Sequence, residues 1–325
     1  MAAVGRLAGV SQVTVSRALS DPSKVSPETL ARIREAIEVT GFVPNAIAGA
    51  LASRRSMLVT ALVPSITNIV YATMVKAFSN RMREHGYQFL LSETGFDPEE
   101  EERIIATVLS RRPDAMLLTG IHHTAQARKM LLGADIPVVE VWDITDSPVD
   151  LCVGFSHAET GRAVAEYAVA KGHRRAGTVT AGDARALRRK EAFSRRFTEL
   201  GGTVLAEIDH DGPATLARGR EGLARLIDMA GFAGGFVHCS SDVLAHGVVI
   251  EAHARGIDVP GTVAVSGFGD QDFAAQIEPP ITTVRVDRDV LGRSAAEAVL
   301  ARIGKRPDVP TVTDVGFEII TRGTA

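Results

Sequence analysis

The run Leu7-Ala8-Gly9-Val10-Ser11-Gln12-Val13-Thr14-Val15-Ser16-Arg17-Ala18-Leu19 carries a helix stop and a helix start within three residues. Gly9 is the residue type that closes a helix in the left-handed conformation, here a helix over Ala3 to Ala8. Ser11 is a capping hydroxyl that opens a second helix over about Gln12 to Leu19. The outcome is helix, tight turn, helix. In the second helix Val10, Val15 and Leu19 can pack inward, while Gln12, Val13, Ser16 and Arg17 project outward. A helix that reads base edges in a major groove needs that division: an apolar back, and polar or methyl-bearing tips at its N-terminal end. An ordinary amphipathic helix with solvated hydroxyls has the same periodicity, so periodicity alone leaves both readings open.

Downstream, Ser26-Pro27 opens a third helix whose Leu30, Ile33 and Ile37 share one face, and Gly41 ends it. Residues 1–44 therefore read as a small all-α domain. Pro44-Asn45-Ala46 through Leu51-Ala52 is a stretch of small residues, too short to be a stable helix alone, so 45–57 reads as a conditional linker. Residues 1–57 hold seven basic side chains against four acidic ones, although the whole chain has a net charge of -3. A basic head precedes an acidic body.

From Leu58 onward, β-like runs alternate with helical patterns. The runs are 58–63, 87–91, 115–119, 137–142, 152–155, 175–180, 204–209, 235–239 and 263–268, with helices such as 70–84, 158–171 and 243–254 between them. That alternation implies parallel sheets covered by helices. So many units exceed one open sheet, so the α/β body splits into two lobes near residue 156. The expected division is 58–155 with 285–310 for the first lobe and 156–284 with 311–325 for the second.

At 325 residues the chain has room for about two domains of roughly 150 residues. No apolar run approaches the roughly 18 residues of a membrane span. Two cysteines, Cys152 and Cys239, make no disulfide framework, and residues 1 to 20 lack an export signal, so a cytoplasmic location is expected, with no membrane partner. His122 and His123 lack metal-ligand spacing to any cysteine. No phosphate-cradling loop, nucleophile elbow or acid/base pair stands out, so neither an enzyme nor a metal or cofactor is implied.

The residues of 8–19, together with Val25-Ser26, Gly41-Phe42-Val43-Pro44-Asn45 and Ala48 to Leu51, resemble the head of the lactose/galactose repressor family of bacterial transcription regulators. Val63-Pro64-Ser65-Ile66-Thr67-Asn68, Gly267-Phe268 and Pro280-Ile281-Thr282-Thr283-Val284 extend the resemblance through the body. Gly95 to Glu102, Leu118 to Thr124, Pro137 to Glu140 and Val153 to Phe155 are most similar to the branch of that family controlling gluconate operons. The resemblance implies a helix-turn-helix head, a hinge helix, and a two-lobed body like periplasmic sugar-binding proteins. It further implies a homodimeric repressor that binds a palindromic operator in double-stranded DNA and is released by a small-molecule inducer.

Carried onto this chain, the resemblance places Gln12, Val13 and Arg17 at base-reading positions. Ser11, Thr14, Ser16 and Asn45 fall where phosphates are touched or the helix is oriented, and Leu51 is the minor-groove wedge. An acid sugar needs a cation for its carboxylate, and Arg189 matches the family's ligand arginine, with Arg185 one turn earlier on the same face. Ser65, Val70, Tyr71, Asp143, Ser241, Asp242 and Asp270 complete the expected effector site, at the C-terminal ends of strands. A neutral sugar or nucleobase is the alternative effector. The chain departs from the family pattern at Ala192-Phe193, at Gly269 after Phe268, and at Ser241. It also opens inside the first helix at Met1-Ala2-Ala3-Val4, where a shortened start with weakened DNA binding is expected.

Overall fold

Serine hydroxyls set the starts of two helices in the head. Ser11 and Ser26 stand in extended backbone, and their side chains accept from the Thr14 and Thr29 N–H groups. These bonds satisfy donors that a helix start leaves without partners. Helix α1 (Ala2–Ala8) ends at Gly9, whose φ of 69° is the left-handed conformation expected there. Helices α2 (Gln12–Ser20) and α3 (Pro27–Thr40) follow, the latter ending at left-handed Gly41. Val4, Ala8, Val15, Ala18, Ile33 and Ala36 form the shared core, flanked by Val10, Leu30, Ile37 and Phe42. One expectation shifts: Leu19 is 37% exposed and Ala18 takes the inward place. Ala18 lies three residues after Val15, so it falls over the same stripe of a 3.6-residue helix.

The computed structural model describes residues 1–43, 55–182 and 184–325. Asn45, Leu51 and most of the expected hinge fall outside these residues. The described chain divides into a head (residues 1–58 with 112–114) and a body (59–111 with 115–325). Residues 112–114 join the head unit because the Asp114 carboxylate accepts the Ser56 and Met57 backbone N–H groups at 2.8 and 3.0 Å.

In the body, the first sheet has the order β11-β5-β4-β3-β1-β2 and the second β12-β10-β9-β8-β6-β7. The first is built from β1 (Leu58–Val63), β2 (Gln88–Glu93), β3 (Ala115–Thr119), β4 (Val138–Val141), β5 (Leu151–Gly154) and β11 (Val312–Asp314). The second is built from β6 (Arg175–Ala181), β7 (Thr203–His210), β8 (Gly235–Cys239), β9 (Val263–Phe268), β10 (Thr282–Arg285) and β12 (Glu318–Ile320). β10 and β12 pair antiparallel, whereas β3 with β4 and β8 with β9 run parallel. The central strands are buried, as strands covered on both faces must be.

Helices α4 (Ile69–Glu84), α5 (Pro98–Leu109) and α6 (Ala125–Gly133) cover the first sheet. Helices α7 (His157–Ala170), α8 (Ala184–Glu199), α9 (Leu216–Asp228) and α10 (Asp242–Ala254) cover the second, and α11 (Arg288–Ile303) returns to pack on α4. The chain thus crosses between lobes after β5, after β10 and after β11. Because Val312–Asp314 pairs with Cys152–Gly154, the last stretch of the first lobe runs past the expected border at 310 to about residue 315. Among the described residues, no helix is long and apolar enough to cross a membrane.

Candidate functional site

Two surfaces carry the candidate residues, one in the head and one in the body. In the head, Gln12, Ser16 and Arg17 are exposed, as is Val13 at 66%. Ser11 spends its hydroxyl on the Thr14 N–H at 3.1 Å and lies 2.9 Å from the Thr14 hydroxyl. Among the described residues, no hydrogen bond or ion pair ties the Gln12 or Arg17 side chain to the head. A helix packed by Val15 and Ala18 therefore presents a row of water-facing groups at its N-terminal end.

In the body, the C-terminal ends of β1, β3 and β4 in one lobe meet those of β6, β8 and β9 in the other, as the contacts of Tyr71 and Gly120 with Arg185, of Trp142 with Phe268 and of Asp143 with Arg188 show, and α8 lies along the cleft between them. Gly161 makes the placement of α8 possible. A Cβ there would stand 2.2 Å from the Arg189 carbonyl oxygen, so α7 and α8 approach more closely than any side chain permits. Arg185 lies one turn before the adjacent Arg188 and Arg189 on α8, and Arg185 and Arg189 are buried. The Arg189 guanidinium stacks 3.8 Å from the centroid of Phe268. Its Nη1 donates to His157 Nδ1 at 2.8 Å and its Nη2 to the Ser240 carbonyl at 2.9 Å.

His157 fixes that geometry through its tautomer. Its Nε2 lies 2.9 Å from the Trp142 carbonyl, which can only accept, so Nε2 carries the proton and Nδ1 is free to accept from Arg189. Burial, reinforced by the Arg189 and Arg185 charges, holds this imidazole well below its usual pKa, hence neutral.

Arg185 donates from Nη2 to the Tyr71 hydroxyl at 3.0 Å, reaching from the second lobe to the first. Tyr71 meets Trp142 edge-on at 5.9 Å, and Trp142 meets Phe155 at 5.2 Å, so aromatic rings floor the cleft. Asp143, buried at the end of β4, accepts from both terminal nitrogens of Arg188.

The other expected residues have local employment. Val70 packs at the first turn of α4, and Ser65 borders a cavity of about 170 Å³ with Tyr71 and Leu91. Ser241 caps α10 through the Leu244 N–H. Asp242 accepts from Thr283 Oγ1 at 2.5 Å and from the Gln271 N–H at 2.7 Å, and burial raises its carboxyl to about 6. Asp270 turns its two oxygens to Arg285 and Arg322, each at 2.6 Å, where the chain passes between lobes.

Three contributors escaped the sequence reading: His157, Arg188 and Trp142. A Ser-His pair opening a helix straight after a strand was the available signal for His157. Arg188 had none, because five other basic residues crowd the same helix.

Residues 1–45 match the family described as bacterial regulatory proteins, lacI family, and residues 165–325 match a periplasmic binding protein-like domain. The chain is 36% identical to the HTH-type transcriptional regulator GntR of Pseudomonas aeruginosa, over 98% of its own length and 93% of that protein's. It is 30% identical to the regulator of the same name from Escherichia coli K12, over 97% and 95% of the two chains. A transcriptional regulator of the same family from Silicibacter pomeroyi superposes with a TM-score of 0.93 at 32% identity, covering 99% of this chain and 98% of that one.

Proposed function

Since this chain belongs to the lacI family of bacterial regulatory proteins and is a DNA-binding transcriptional repressor, not an enzyme, we propose that a sugar acid of the gluconate type binds the cleft and releases the head from its operator. The observation that carries this reading is the convergence of three guanidinium groups from α8 on the facing strand ends. An array of that sign suits a carboxylate, and the aromatic floor suits the C–H faces of a polyol chain.

In this reading residues 1–44 bind DNA, 45–57 form the hinge, and 58–325 bind effector and dimerise. Gln12, Val13 and Arg17 read bases, Ser11, Thr14, Ser16 and Asn45 serve phosphates and helix placement, and Leu51 is the wedge. Arg189 and Arg185 anchor the ligand beside Tyr71 and Asp143. A homodimer on a palindrome follows from the size of one head, which buries too little surface for tight specific binding. Exposed apolar side chains support it: Leu90 and Leu91 on the edge strand β2, then Phe96 at 56%, with Ile66 and Ile69. The protein works in the bacterial cytoplasm.

A ligand that bridges two lobes fixes their angle, and the angle sets the spacing of the two linkers in a dimer. An inducer must favour the DNA-free arrangement, and a coupling of about 1 to 3 kcal/mol relieves repression roughly 5- to 150-fold. Calorimetry with gluconate, related sugar acids, neutral sugars and nucleobases, with and without operator, tests the reading. Heat is expected with gluconate and weaker binding with operator present. No heat with any sugar acid removes the ligand assignment, and tighter binding on operator makes the ligand a corepressor.

A further inference from the structure

The described partners of the three cleft arginines differ. Arg189 lies against a neutral imidazole, a carbonyl and a ring, and Arg185 donates to a phenol. Arg188 faces a carboxylate: its two terminal nitrogens donate to Asp143, one at 3.4 Å and one closer. The two residues stand on opposite lobes, and among the described residues no other ion pair joins the lobes. The Asp143 side chain is buried while that of Arg188 is one-third exposed. Arg188 Nε, shielded from water, has no hydrogen-bond partner among the described residues. A guanidinium with one buried donor unmet beside an engaged carboxylate keeps a donor unspent for a further acceptor.

Resting on the reading of the cleft as a sugar-acid site, we propose that Asp143 stands in for the ligand's carboxylate on Arg188, forming a latch between the lobes that an acidic polyol opens by substitution. Exchange of one carboxylate for another leaves the cation paired. A neutral sugar offers only hydroxyls, so displacing Asp143 would leave the Arg188 cation without a carboxylate and a buried carboxylate without its cation, which is strongly unfavourable. The released Asp143 in turn needs donors, and the hydroxyls of the same ligand supply them. The class selected therefore carries a carboxylate and several hydroxyls together. A plain alkyl carboxylic acid satisfies Arg188 but abandons Asp143, and glucose does the reverse.

Full-length wild type, D143N, R188Q and the double variant are compared for operator affinity without ligand, beside calorimetry of wild type with gluconate, glucose and hexanoate. Loss of the latch is expected to weaken operator binding roughly fivefold or more in each single variant. The double variant should be no weaker than the worse single, because both changes remove one interaction. Single variants that bind operator like wild type or more tightly, or losses that add, overturn the latch. Hexanoate or glucose binding as tightly as gluconate overturns the selection. If wild type takes no sugar acid at all, the reading of the cleft falls first and the proposal with it. Where D143N does not fold, R188Q decides alone through operator affinity, since its side chain is partly exposed.

Discussion

Helices α2 and α8 both present polar side chains toward a partner, yet they keep those side chains in opposite states. On α2 the groups are in water: Gln12, Ser16 and Arg17 are exposed, and the helix is secured by Val15 and Ala18 behind them. On α8 Arg185 and Arg189 are buried and already engaged by the protein, Arg189 in particular donating to two acceptors and stacking on a ring. DNA offers a hydrated, highly charged surface of its own, so a reader can approach with solvated side chains and release counterions on contact. A small ligand must be captured in a closed space, where an unsupported guanidinium would carry a large desolvation cost before anything bound. The body therefore supplies surrogate partners in advance.

If α8 is organised by surrogate partners, its variants should cost more than those of α2. Arg189→Ala is expected to abolish the response to gluconate and to weaken its binding by about 1.5 to 3 kcal/mol, the range for a hydrogen bond to a charged group. It also leaves His157 Nδ1 and the Ser240 carbonyl without their donor, a further loss of about 1 to 3 kcal/mol in body stability. Operator binding should persist. Calorimetry, denaturant unfolding and gel shifts read the three effects separately, and an unchanged body stability would break the comparison.

Arg17→Ala on α2 is expected to act on operator affinity alone. A lost base contact should cost about 1 to 3 kcal/mol and relax selectivity at one position of each half-site, with no change in unfolding. Selection from a randomised operator pool measures it. A fall in affinity that is uniform across sequences would assign Arg17 to phosphate instead.

The smallest effect is a slope. His157 and His238 are both buried neutral, with His238 pushed down to about 3 by burial and the Arg189 charge. Their folded-state pKa values lie below the usual imidazole value near 6.5, so the unfolded chain takes up more protons as pH falls. The stability these groups contribute is fully present above about pH 6.5 and is lost below it. His157→Asn, which keeps an acceptor for Arg189 but does not titrate, should flatten the decline in melting temperature between pH 7 and 5. A parallel decline in wild type and variant would assign the slope to His238 and other groups.

The same contrast explains what the amino-acid sequence discloses. Head signals are local: Gly9, Ser11, Ser26 and Gly41 act within four residues of their own position, and each stands at a helix end. Strands β1, β3, β8 and β9 are legible in full because their apolar runs are bounded by breaks in pattern. At Leu19 the apolar pattern is off by one residue, because Ala18 is small enough to fill the inward place without standing out in the sequence. The cleft is another matter. Arg188 meets a partner 45 residues away in the other lobe, and Arg189 is oriented by a histidine 32 residues away. Asp270 had the right chemistry at a strand end, but Arg285 and Arg322 approach it from segments whose course is set only by the whole fold.

The three passages of the chain between lobes also dictate an order of events during synthesis. The head closes its core within residues 4 to 42, so it can fold as soon as it leaves the ribosome. The first lobe is complete only later, because Val312–Asp314 adds the edge of its sheet and Arg288–Ile303 packs on its α4. The second is complete only when Glu318–Ile320 flanks β10. Contacts of such long sequence separation form slowly. The head can thus close its core long before the body, whose two lobes are both completed by residues 288–320.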